Sequence, residues 1–198
     1  MGALRTPREA WVEEGLRTLA VGGVDAVRVE VLAKALGVTK GGFYGYFADR
    51  AALLTTMLEV WERESVDDVL RQIEEAGGDE VDKVRLAGRL TFSSHRLSRM
   101  DLAVRDWARR DDQAAEHLRR VDNRRMQLLR DAISTFCEDP EEVEARSLLA
   151  FCAAIGTHLV VADHPGLTRP QVLGRASDLV LDRRAMSPVE AQGERDQW

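Results

Sequence analysis

Residues 29–47 read Val-Glu-Val-Leu-Ala-Lys-Ala-Leu-Gly-Val-Thr-Lys-Gly-Gly-Phe-Tyr-Gly-Tyr-Phe. A short helix is expected from Val29 to Leu36, with Leu32, Ala33 and Leu36 at three- and four-residue steps on its inward face. Gly37 follows at once, where a left-handed backbone can end the helix at little cost. Thr39 suits the N-cap of a second short helix, Lys40 to Tyr46. A helix, a glycine-bearing turn and a second helix at this spacing make a helix-turn-helix. Ala33 is small enough for the helices to cross closely, and Val38 and Phe43 fill the space beneath. In such a unit the second helix enters the DNA major groove with its N-terminal residues toward base edges. Thr39, Lys40, Gly41 and Gly42 occupy that end. Two glycines in so short a helix cost about 1 kcal/mol each against alanine, and close approach to DNA is a reason to keep them. The hydroxyls of Tyr44 and Tyr46 are within reach of phosphate. Glu30, on the outer face of the first helix, faces solvent.

Upstream, a helix is expected from Pro7 to Ala20. Thr6 and Glu9 have capping-box spacing, and Pro7 suits the first helical position. Trp11, Val12, Leu16, Leu19 and Ala20 supply its apolar face, and Gly22-Gly23 end it. Downstream, Asp49 caps a long helix expected to reach Ala76, before the break at Gly77-Gly78. Further helices are expected over 79–97, 101–110, 113–137, 141–162 and 169–184. No alternating strand pattern persists, so the chain reads as all-α. The expected organisation is a three-helix helix-turn-helix domain over 1–50 and a helical ligand-binding and dimerisation domain over 51–198.

The 198 residues carry a net charge of −6. Residues 1–50 hold seven lysines and arginines against six acidic residues, a balance of +1, so the acidity lies in the body. That asymmetry suits a protein in which only the head meets phosphate. The first thirty residues mix charge with apolar residues and read as no secretory signal. The run Leu148 to Ala162 falls short of a membrane span. A cytoplasmic protein without membrane contact is expected. Cys137 and Cys152 form no CxxC and read as buried, reduced thiols. The four histidines, His95, His117, His158 and His164, make no HExxH, and no phosphate loop or nucleophile elbow is present. The expectation is therefore no enzyme, no metal and no cofactor.

The stretch from Thr39 through Gly41-Gly42-Phe43-Tyr44 and Phe47 to Asp49-Arg50-Ala51-Ala52-Leu53-Leu54 resembles the signature of the TetR family of transcriptional regulators. Leu32-Ala33 and Leu36-Gly37-Val38 fit the same pattern, and the likeness covers roughly residues 7–60. It implies that Thr39, Lys40, Gly41, Gly42 and Tyr44 face bases or phosphates, and that Tyr46 and Arg50 contact phosphate. Arg50 alternatively supports its own helix. The threonine that usually opens helix two is replaced by Ala26-Val27-Arg28, and Arg28 serves as a phosphate contact instead. The resemblance also implies a homodimer on a palindromic operator, released by a small-molecule effector. A regulator of the same fold without an effector, or one that activates, remains open.

The C-terminal helices carry broad apolar faces, with Leu148, Cys152, Ile155 and Leu159 on one and Val172, Ala176, Leu179 and Val180 on the other. These are the candidate dimer interface. Met57, Trp61, Phe92, His95, Met100, Trp107, Phe151 and His158 are the candidate lining of an effector pocket, suited to an apolar organic molecule. Arg105, Asp106 and Arg109 have helical ion-pair spacing and read as a solvated face.

Overall fold

The computed structural model describes residues 6–92 and 95–182, with side chains left out for 91–96. Every regular element among the described residues is helical. The order is α1 (Arg8–Gly22), a 3-10 turn η1 (Val24–Ala26), α2 (Val29–Ala35), α3 (Lys40–Phe43), α4 (Arg50–Ser65), α5 (Asp67–Ala76), α6 (Glu80–Phe92), α7 (His95–Ala108), α8 (Asp112–Ile133), α9 (Pro140–Gly156) and α10 (Arg169–Val180). None of the described helices is long and apolar enough to cross a membrane. No His, Cys, Asp and Glu cluster suited to a metal occurs among the described residues.

The chain divides into two compact units, residues 1–128 and 129–198. The first extends well past residue 50, because α1 packs against both α4 and α7. Trp11, Leu16 and Leu19 of α1 share one buried cluster with Phe43, Leu53, Met57, Trp61, Met100, Val104 and Trp107. At Gly15 a Cβ would stand 2.6 Å from the Met57 sulfur, so a larger residue there would have to displace that buried side chain. In the second unit Val143, Arg146, Ser147 and Phe151 form the buried face of α9.

Several expected boundaries shift. Helix α1 begins at Arg8 with Pro7 as its N-cap and no side-chain cap, so the Thr6–Glu9 box does not form. The first turn closes on the Pro7 carbonyl, which accepts from Ala10 N at 3.1 Å and leaves Thr6 outside the helix. The helix opened by Asp49 does not run to Ala76. It breaks at Val66, whose φ of −129° and ψ of −62° part α4 from α5. Val66 is buried, so the bend keeps an apolar side chain in the core. The expected 79–97 and 101–110 helices are divided differently, with α7 already begun at His95. Helix α9 ends at Gly156, earlier than expected, so Leu159 and Val160 lie beyond it. Cys137 is buried as expected, but Cys152 is exposed on α9.

The solvated reading of Arg105 is overturned. Its Nε donates to Asp101 Oδ2 at 2.8 Å, and its Nη1 and Nη2 donate to both oxygens of Asp122 at 2.9 and 2.6 Å. Arg125 Nη1 donates to Asp101 Oδ1 at 2.7 Å. Asp101 is only 2% exposed, so these charges bind α7 to α8 from within. Asp106 pairs instead with Arg110, at 3.2 Å. Helix α8 is also tied to α4 and α5. Glu62 accepts from Arg120 Nη2 at 2.8 Å and from His117 Nδ1 at 2.7 Å, and Asp67 pairs with Arg124 at 2.7 Å. The Arg120 hydrogen bond, with His117 assisting, holds the Glu62 carboxyl below its ordinary range.

Candidate nucleic-acid interface

Helix α2 and the short α3 are joined by Leu36–Thr39, and the turn is closed by Val38 N donating to Ala33 O at 2.9 Å. Gly37 takes φ +68°, a backbone that only glycine adopts without strain. Thr39 occupies the N-cap of α3 as expected, though its side chain makes no cap hydrogen bond. The α-helix ends at Phe43, and Tyr44–Tyr46 continue as a turn. Phe43 anchors the element. It is fully buried, packs edge-on to Trp11 at 5.4 Å and stacks on Phe47 at 5.2 Å.

With Phe43 fixed inward, the opposite side of α3 is left to solvent. Thr39, Lys40, Gly41 and Tyr44 are exposed, and Gly42 is half-buried over the edge of Trp11. An added Cβ at Gly41 would meet nothing closer than Thr39 Oγ1 at 3.7 Å. Internal packing therefore does not require glycine at that position. Tyr46 is half-buried and packs against the core cluster. Arg28 is exposed, with its Nε donating to Asp25 O at 3.1 Å.

Two side chains have partners that sequence reasoning missed. Lys40 donates to Glu30 across the turn, so Glu30 does not simply face solvent. That hydrogen bond keeps the Glu30 carboxyl below its usual pKa. Arg50 donates from Nε to Val27 O and from Nη2 to Val24 O, each at 2.6 Å. Arg8, also absent from the sequence reading, lies 4.9 Å over the Phe47 ring and donates to Thr56 Oγ1 at 3.0 Å. A duplex that engages Lys40 would have to displace Glu30. Glu30→Gln is therefore expected to tighten duplex binding by roughly two- to fivefold per head, the range of an exposed ion pair. The check is Kd at fixed salt, and unchanged or weaker binding would contradict it.

The geometry of this head agrees with its match in known proteins. Residues 12–57 match the family model described as bacterial regulatory proteins, tetR family. That segment is a TetR-family head. The family model describes bacterial regulatory proteins. Solved structures extend the likeness of fold to nearly the whole chain. A transcriptional regulator from Rhodococcus sp. Rha1 is 21% identical with a TM-score of 0.68, over 89% of this chain and 94% of that one. A regulator from Saccharomonospora viridis, solved with choline, is 15% identical with a TM-score of 0.73, over 87% and 94%. FadR from Bacillus subtilis, solved with stearoyl-CoA, is 14% identical with a TM-score of 0.65, over 90% and 100%. A search of curated protein sequences found no match.

The remaining candidate residues fall as follows. Met57, Trp61, Met100 and Trp107 come together in the buried cluster of the first unit. Phe151 is buried in the second unit, and His158 is exposed. The side chains of Phe92 and His95 lie outside the described residues. The candidate interface residues Leu148, Cys152, Leu159 and Leu179 are exposed, and Ile155, Val172, Ala176 and Val180 are half-buried. No residue of α10 is fully buried.

Proposed function

We propose that this regulator is a repressor that binds a palindromic operator as a homodimer and is released by a small organic effector. Its work is with DNA in the cytoplasm. Residues 1–50 read the duplex, and residues 51–198 pair the subunits and hold the effector. One observation carries the reading: α3 is pinned from below by Phe43 and presents Thr39, Lys40, Gly41 and Tyr44 outward. Gly41 lets the backbone approach base edges. Lys40 and Tyr44 reach phosphate or base, and Arg28 adds a phosphate contact at the start of α2. Selection of bound fragments from random duplexes tests this. A recovered inverted repeat whose binding falls on Tyr44→Ala supports it, and no enriched sequence would contradict it.

The dimer reading is supported by the exposed apolar side chains of the second unit. Leu148, Leu149, Leu159, Val160, Val161, Leu167 and Leu179 are all more than half exposed, and unpartnered apolar surface of this kind marks association sites. A homodimer supplies two heads for one palindrome. Leu148→Glu is expected to give a folded monomer with operator affinity reduced at least tenfold, because a charge desolvated at such an interface is costly. Sedimentation with operator titration checks it, and an intact dimer would contradict this placement.

Effector binding is supported by two donors on one face of α4. Trp61 Nε1 and Ser65 Oγ are buried with no hydrogen-bond partner, and buried polar groups rarely stay unpaired without a reason. An apolar molecule with a hydrogen-bond acceptor would satisfy them. Relatives of this fold were solved with choline and with stearoyl-CoA. The complete burial of Met57, Trp61 and Met100 favours a second reading, the same regulator with a filled core and no effector. Titrating operator complexes with amphipathic organic molecules separates the two.

A further inference from the structure

We infer that Arg50 is a positioning residue, which sets the launch of α2 by gripping the η1 turn. This rests on the reading of α3 as the DNA reader and departs from a phosphate role for Arg50. Arg50 is the first residue of α4, and the preceding Asp49 fixes that end of the helix by accepting from Ala52 N at 2.8 Å. From this fixed point the guanidinium spans two carbonyls three residues apart. Nε bonds Val27 O and Nη2 bonds Val24 O, each at 2.6 Å. A planar fork with donors on adjacent nitrogens suits that task, and a lysine ammonium offers no such fork.

The gripped turn is where the reader's orientation is decided. Val27 leads directly through Arg28, the N-cap, into α2. Helix α2 in turn holds α3 through the Val38–Ala33 hydrogen bond and the turn at Gly37. The segment just after α7 reaches the same turn, with Arg110 pairing Asp25 at 3.3 Å. That pair is exposed on both sides, so the half-buried Arg50 bonds are the firmer hold. Two of the guanidinium's donors are thereby committed to the protein's own backbone, leaving the side chain poorly placed for an outward phosphate.

The experiment compares wild type, Arg50→Lys and Arg50→Gln on the operator selected by the wild type. Kd is measured well below the unfolding midpoint, referred to active protein, over a range of salt. The positioning role predicts that both variants lose about tenfold, the scale of one charge-assisted hydrogen bond. The slope of log Kd against log salt stays that of the wild type. A phosphate role predicts that lysine keeps the affinity, and that glutamine flattens the slope by about 0.9 per head. Either of those results would overturn the inference. The wild type gives a reading that needs no folded variant. The Arg50 Nε–H should be equally protected from exchange in free and operator-bound protein. Loss or relocation of that protection on DNA would also overturn the inference. A wild type that binds no duplex at all would sink the reader assignment itself, and that failure appears before any substitution is made.

Discussion

Phe43→Ala is expected to lower stability by about 3–5 kcal/mol, the range for truncating a buried aromatic. Phe43 is fully buried where α1, α3 and the Phe47 turn meet, with Trp11 edge-on at 5.4 Å and Phe47 stacked at 5.2 Å. The loss combines transfer of the ring to water with a cavity. Collapse into that cavity is limited, because Trp11 is itself fully buried in the same packed cluster. Against a total stability of about 5–15 kcal/mol, a loss of this size is severe. A fall in Tm of roughly 10 °C is expected for a chain of this length. Helix α3 has only one turn and no side-chain cap, so its position depends on this anchor. Operator affinity should therefore fall even where the protein remains folded. Urea unfolding followed with operator binding checks both parts, and a loss under about 1 kcal/mol would contradict this packing.

Asp101→Asn is expected to cost a similar amount, about 3–5 kcal/mol, because it removes the buried charge that Arg125 and Arg105 share. Burial alone would push the Asp101 carboxyl up. The opposing charges and hydrogen bonds of Arg125 and Arg105 outweigh it and hold the group below the ordinary carboxylate value. A carboxyl with a lowered folded pKa stabilises the fold fully above its unfolded pKa, and that stabilisation is lost as pH falls through the folded value. The gap between wild type and Asp101→Asn should thus be constant from neutral pH down to about 4, the ordinary aspartate value. Below that it should close. Urea midpoints of both proteins across pH 3–7 check this. A gap that widens toward low pH would contradict the network.

The features legible in the sequence are local. The α2–turn–α3 head and the start of α4 follow from a 3.6-residue apolar period, one glycine at a left-handed position and the Asp49 cap, all inside a stretch of about twenty residues. Each is a property of neighbours in the chain. What escaped depends on distant partners or on backbone. The Arg105 and Arg125 pairs join Asp101 to α8 across 17 to 24 residues, and no helical spacing rule reaches that far. Arg105 therefore looked like a solvated side chain. The partners of Arg50 are carbonyls, which every residue possesses, so no sequence pattern marks them. The Glu30–Lys40 pair crosses the very turn that was recognised, but side-chain direction decided it. The break at Val66 carries no glycine or proline. Cys152 sits in an apolar stretch, and periodicity alone does not distinguish a face that meets its own chain from one that is left exposed.

The central claim is that α3 is a duplex reader presented twice by a symmetric pair of chains. Footprinting wild type and Tyr44→Ala on the selected fragment tests it most directly. The account predicts two protected half-sites in inverted repeat, their centres one helical turn or a multiple apart, about 34 Å per turn. Both should weaken together in the variant. A single unrepeated footprint, or a footprint indifferent to Tyr44, Lys40 and Gly41, would contradict it.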